Sequence, residues 1–97
     1  MYVIAIIRYR RPLEEIVKAT DGHRAYLREL KARGTLIASG PLEPRFGGAL
    51  LLRVPDDLPD AALLAIRDGD PFVQQGLVQY ELLPWKPVIG AEDLDRA

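Results

Sequence analysis

The chain has 97 residues, 48% of them hydrophobic and 28% charged, a balance that excludes intrinsic disorder and fits one domain. Thirteen Lys and Arg stand against fourteen Asp and Glu, for a net charge of −1, so nucleic acid is not an expected partner, because phosphate binding rests on clustered positive charge. With no cysteine and one histidine, His23, disulfides, thiol catalysis, thiolate metal sites and any site needing two imidazoles from one chain are excluded, and chemistry with no metal and no cofactor is the expectation.

Tyr2 to Ile7 is β-rich and apolar at odd and even positions alike, which predicts a strand covered on both faces. The run is too short to span a bilayer, and Arg8, Arg10 and Arg11 follow it, whereas a signal peptide carries its positive charge before the apolar stretch. A cytoplasmic protein with no membrane partner is therefore expected. Pro12-Leu13-Glu14-Glu15 reads as a helix start, with proline in the first turn and acids at the positive end of the dipole. Ile16, His23, Leu27 and Leu30 follow at spacings of seven, four and three, which puts them on one helix face. Thr20-Asp21-Gly22 interrupts that pattern. Glycine inside a helix costs about 1 kcal/mol relative to alanine, so a kink is predicted there, or a break with Asp21 capping a second helix. Gly34 then makes a left-handed stop.

Thr35 to Ser39 is predicted as the second strand, ended by Gly40-Pro41. Gly47-Gly48 reads as a turn into a third strand, Ala49 to Val54, again apolar on both faces. Asp57 with Asp60 resembles a capped helix start, and Ala61 to Ile66 supplies the helix. Asp70 to Gly76 reads as a helical turn with an aspartate cap, a first-turn proline and a terminal glycine. Leu77 to Leu83 is the last strand, and Pro84-Trp85-Lys86-Pro87 turns the chain out of the sheet. The reading is one domain over 1–87 and a loose tail over 88–97. The order βαββαβ predicts an α+β, ferredoxin-like sandwich of one antiparallel sheet with helices on one face. Strands apolar on both sides then need a second cover, and another copy of the sheet supplies it. The expected assembly is a homodimer, a dimeric α+β barrel.

Three positions can carry chemistry. His23 is either a core-edge histidine bonded to a backbone carbonyl or a general base facing a cleft. Asp70 is an ordinary helix cap, but one carboxylate oxygen can cap while the other accepts a proton from an imidazole. That contact would set the histidine tautomer and stabilise imidazolium. Ser39 invites comparison with a hydrolase triad, yet no G-x-S-x-G elbow surrounds it, which leaves a turn residue or a pocket hydroxyl that orients a substrate. Arg24, Arg28 and Lys31 read as a solvated basic stripe.

These pieces together resemble the YciI-like (YCII-related) family from Met1 to about Trp85. The resemblance lies in the aliphatic first strand, His23 leading Tyr26-Leu27, and Ala38-Ser39-Gly40-Pro41. It continues in the apolar strand led by Gly48, Gly69-Asp70-Pro71-Phe72-Val73-Gln74-Gln75-Gly76-Leu77, and the closing Pro84-Trp85. The chain departs from the pattern just before the histidine, where many members carry Arg-Pro-x-His and this one has Thr20-Asp21-Gly22-His23. The resemblance implies a dimeric α+β barrel with a small-molecule pocket in each subunit. It also implies an active-site pair matching His23 and Asp70, and a lyase-type activity that eliminates halide from a chlorinated, hydroxylated aromatic. The expected function is an acid–base enzyme of lyase or isomerase type acting on a small hydroxylated or cyclic molecule. His23 and Asp70 are its catalytic pair, and Ser39, Gly40, Pro41 and Phe72 are its substrate contacts. The competing expectation is a small-molecule-binding or regulatory dimer without catalysis.

Overall fold

A computed structural model describes residues 1–97 as β1 (Tyr2–Tyr9), α1 (Leu13–Ala32), β2 (Leu36–Pro41), β3 (Gly47–Arg53), α2 (Asp60–Asp68), α3 (Pro71–Gln74), β4 (Val78–Trp85) and α4 (Ala91–Asp95). The four strands form one antiparallel sheet in the order β2-β3-β1-β4, the ferredoxin-like arrangement. No helix is long and apolar enough to cross a membrane.

The sheet separates its two faces by strand alternation. Val3, Ala5 and Ile7 of β1 and Leu50 and Leu52 of β3 are buried, in one cluster with Ile16, Leu27 and Leu30 of α1, Leu63 of α2 and Phe72 of α3. The intervening residues point the other way. Ile4 pairs with Leu51 on one side and Leu83 on the other, and Ile6 with Ala49 and Glu81, on a face that no helix of the main layer covers. The strands are thus apolar on both faces, as their composition predicts, while only one face is filled within the chain.

α1 runs unbroken for 20 residues, so the predicted kink or second start at Asp21 is absent. Gly22 faces Pro71 of α3, where an added Cβ would meet the proline ring at 3.5 Å. Packing along the whole inner face outweighs the propensity cost of one glycine. The helix stops at Ala32 with Arg33 as its cap, and Gly34 follows, whose φ of +78° gives the expected left-handed stop.

The strand ends differ from expectation in three places. β2 continues through Gly40 and Pro41 instead of stopping before them, and Gly47-Gly48 is no turn but the start of β3. A Cβ on Gly47 would lie 1.9 Å from the Ile7 carbonyl oxygen, so only glycine lets β3 pair with β1 at that point. β4 likewise runs on through Pro84 and Trp85, which pair with Val3 and Tyr2. A proline is tolerated there because β4 is an edge strand. α2 begins at Asp60 behind Pro59 with no side-chain cap, so Asp57 does not serve as one.

The tail expected to be loose carries α4 instead. Tyr2 Oη donates to Asp95 Oδ1 at 2.5 Å, and the Arg53 guanidinium donates to the Leu94 carbonyl and, at 3.0 Å, to the Ala97 carbonyl. Tyr2 and Arg53 are a cross-strand pair on the outer face, so α4 lies over one end of it. Val88 and Ile89, between β4 and α4, are exposed.

Candidate active site

The site is built where α1 meets α3 over the sheet. Tyr26 Oη donates to the Ile66 carbonyl at 2.7 Å, tying α1 to the end of α2. Gly69 leaves room for that phenol, since a side chain there would collide with it. Asp70, the next residue, is thereby brought against His23, one turn before Tyr26 on α1.

Asp70 serves two purposes at once. Its Oδ1 accepts the Phe72 N–H at 2.9 Å and caps α3, with Pro71 in the first turn as predicted. The same carboxylate receives His23 Nδ1, at 2.9 Å from Oδ1 and 2.8 Å from Oδ2. The Asp70 side chain is 0% exposed and that of His23 13%. A buried carboxylate needs such partners, because an unpaired charge in an apolar interior is costly. An ionised Asp70 puts the ring hydrogen on Nδ1 and leaves the Nε2 lone pair as the free end of the imidazole.

The ring is also held across its face. Phe72 stacks on His23 with centroids 4.0 Å apart and planes 10° from parallel, and Tyr9 meets Phe72 edge-on at 6.2 Å. Held at its edge by Asp70 and over its face by Phe72, the imidazole has little rotational freedom left.

In front of His23 lies a cleft of about 260 Å³ between α1 and the inner face of the sheet. Ser39, Gly40 and Pro41 line it from β2, Phe72 from α3, and Thr20 and Arg24 from α1. The sequence-predicted residues therefore converge: five of them line the cleft, and Asp70 stands behind His23. The Ser39 hydroxyl makes no hydrogen bond within the chain, and nothing links it to His23 as a nucleophile to its base. No group of three or more His, Asp or Glu side chains comes together with metal-ligating geometry.

A family model for the YCII-related domain matches residues 1–86. The chain belongs to the YCII-related family. Among solved structures, the 5-chloro-2-hydroxyhydroquinone dehydrochlorinase of Burkholderia phenoliruptrix AC1100, in complex with 2,5-dihydroxybenzoquinone, is similar with a TM-score of 0.74. The two chains are 23% identical, and the match covers 92% of this chain and 97% of that one. At that identity the likeness shows the fold. No curated protein sequence matches the chain.

Sequence reasoning missed several walls of this YCII-related cleft. Thr20 was visible only as part of a suspected helix break, yet it is buried, with its hydroxyl donated to the Ile16 carbonyl at 2.9 Å. Arg24 reads with Arg28 and Lys31 as a solvated stripe, although its place beside His23 on one helix is a usable signal. Arg45, in the β2–β3 loop, carried no signal at all, because only the bend of that loop returns it to the cleft.

Proposed function

We propose that this protein is an acid–base enzyme of lyase or isomerase type acting on a small, hydroxylated ring molecule in the cleft before His23. One observation carries this reading: a buried carboxylate holds Nδ1 of the single histidine, so the free nitrogen belongs to a fixed tautomer beside a ligand-sized cleft. His23 Nε2 removes a proton from the substrate, and Asp70 stabilises the imidazolium that forms. The imidazolium then returns the proton, to a neighbouring atom in an isomerisation or to solvent after a leaving group departs in an elimination. Ser39 and the Gly40–Pro41 backbone position the ring, and Phe72 keeps the imidazole in plane. The similar dehydrochlorinase, which acts on a chlorinated hydroxyhydroquinone and is in complex with 2,5-dihydroxybenzoquinone, supports a ring of this class.

We further propose that the working form is a homodimer joined through the outer face of the sheet, where Ile4, Leu51 and Leu83 form one apolar row and Ile6 and Ala49 the next, with Glu81 at its edge. The test of the chemistry is NMR in D2O on a panel of hydroxylated and chlorinated hydroquinones, with and without a ring carboxylate, following deuterium uptake and chloride release. The wild type accelerates one or both, and His23→Ala loses about 10²–10⁴-fold of that rate. Equal rates for the wild type and His23→Ala would falsify the assignment of His23 as base.

A further inference from the structure

Two guanidinium groups line the cleft beside His23, Arg24 from α1 and Arg45 from the loop between β2 and β3. Neither has a carboxylate within ion-pair distance; the ion pairs of the chain are Met1–Asp56, His23–Asp70, Arg67–Asp68 and Arg96–Asp93. The one polar contact of Arg45 is a long one, Nε to the Tyr9 hydroxyl at 3.5 Å. No acidic side chain lines the cleft, and the carboxylate behind it, Asp70, is committed to the imidazole and to the Phe72 N–H. Arg24 also borders the next groove along α1, together with Arg28 and Lys31. A chain of net charge −1 thus concentrates unpaired positive charge at the mouth of its cleft.

We propose that the substrate is an anion: a small ring molecule bearing a carboxylate, whose oxygens Arg24 and Arg45 hold while the atom that loses its proton faces His23. This rests on the cleft being the substrate site. A guanidinium donates paired N–H groups to a carboxylate, which fixes orientation as well as attraction. Ile7, Leu27 and Leu50 in the wall take the apolar body of the ring. The same two cations stabilise the negative charge that grows on the substrate as His23 removes its proton.

Benzoate and benzamide test this, since they share a shape and differ in charge. Binding is read from the His23 ring signals and the arginine Nε–H signals by NMR. Benzoate moves both sets and binds about tenfold tighter than benzamide, and about 0.5 M salt weakens benzoate alone. The double variant Arg24→Gln/Arg45→Gln, at two exposed positions, loses that tenfold preference and keeps the benzamide affinity. Equal affinity of the two probes, benzoate binding unchanged in the double variant, or no response of His23 to benzoate each overturns the proposal. His23→Gln removes the base and retains both guanidiniums, so it keeps the benzoate preference while losing turnover. Failure of the base and failure of anion selection are thereby separate results.

Discussion

Asp70 is the residue on which local structure and chemistry coincide. As a cap it starts α3, and as an acceptor it orients His23; both follow from one carboxylate with more than one lone pair to offer. Asparagine caps a helix as well as aspartate does, so Asp70→Asn keeps α3 while removing the negative charge opposite the imidazole. Expected is a fall in kcat of about 10²-fold or more with KM little changed and an unaltered far-UV circular dichroism spectrum, read in the same deuterium-uptake and chloride-release assay. A wild-type kcat in Asp70→Asn would reduce Asp70 to a cap. His23 and Asp70 could each be named from the sequence, as one histidine on an apolar helix face and one Asp-Pro helix start. Their meeting could not be read there, because it depends on Tyr26 reaching Ile66 across two helices.

At the scale of elements, the sequence marked every strand and every main helix; beyond the break expected inside α1 and the helix α4 in the tail, the errors lie at ends. Gly40-Pro41, Gly47-Gly48 and Pro84-Trp85 all read locally as punctuation, yet each continues a strand. Strand pairing decided these cases: a close backbone approach demanded Gly47, and an edge position freed Pro84 from any donor role. On the inner side of β4, Tyr80 has its phenol pushed well above the ordinary 10.0, first by burial and second by the negative charge of Asp70. The folded state therefore keeps that proton where the unfolded chain releases it. Its contribution to stability is complete below pH 10 and is lost as pH rises beyond, at no more than about 1.4 kcal/mol per pH unit. Urea denaturation between pH 10 and 12 follows this loss in the wild type, and Tyr80→Phe declines less steeply, with Tyr26 supplying the remainder in the same direction. Parallel declines in the two proteins would show that the Tyr80 phenol ionises freely in the folded state.

For the whole molecule, the outer face of the sheet is the apolar surface that the chain's main helices leave uncovered. α4 covers the end at Tyr2 and Arg53, and the apolar rows of Ile4, Ile6, Leu51 and Leu83 lie beyond it. Light scattering is expected to give twice the chain mass of 10.8 kDa for the wild type, and the single-chain mass for Leu83→Asp, whose position is already 40% exposed and tolerates a charge in the isolated chain. A wild type at 10.8 kDa would sink the dimer. The sequence by itself determined the fold class, the inner face of α1 and the candidate chemistry. Each is written in local periodicity and residue type, and hydrophobic patterning survives any error at an element's end. Only the tertiary structure decided that α1 runs straight past Gly22, that the tail docks as α4, and that Asp70 stands behind His23. It alone placed Arg24 and Arg45 around one cleft. These are contacts between residues distant in the chain, set by how helices cross the sheet and how a loop returns, and no local pattern encodes them.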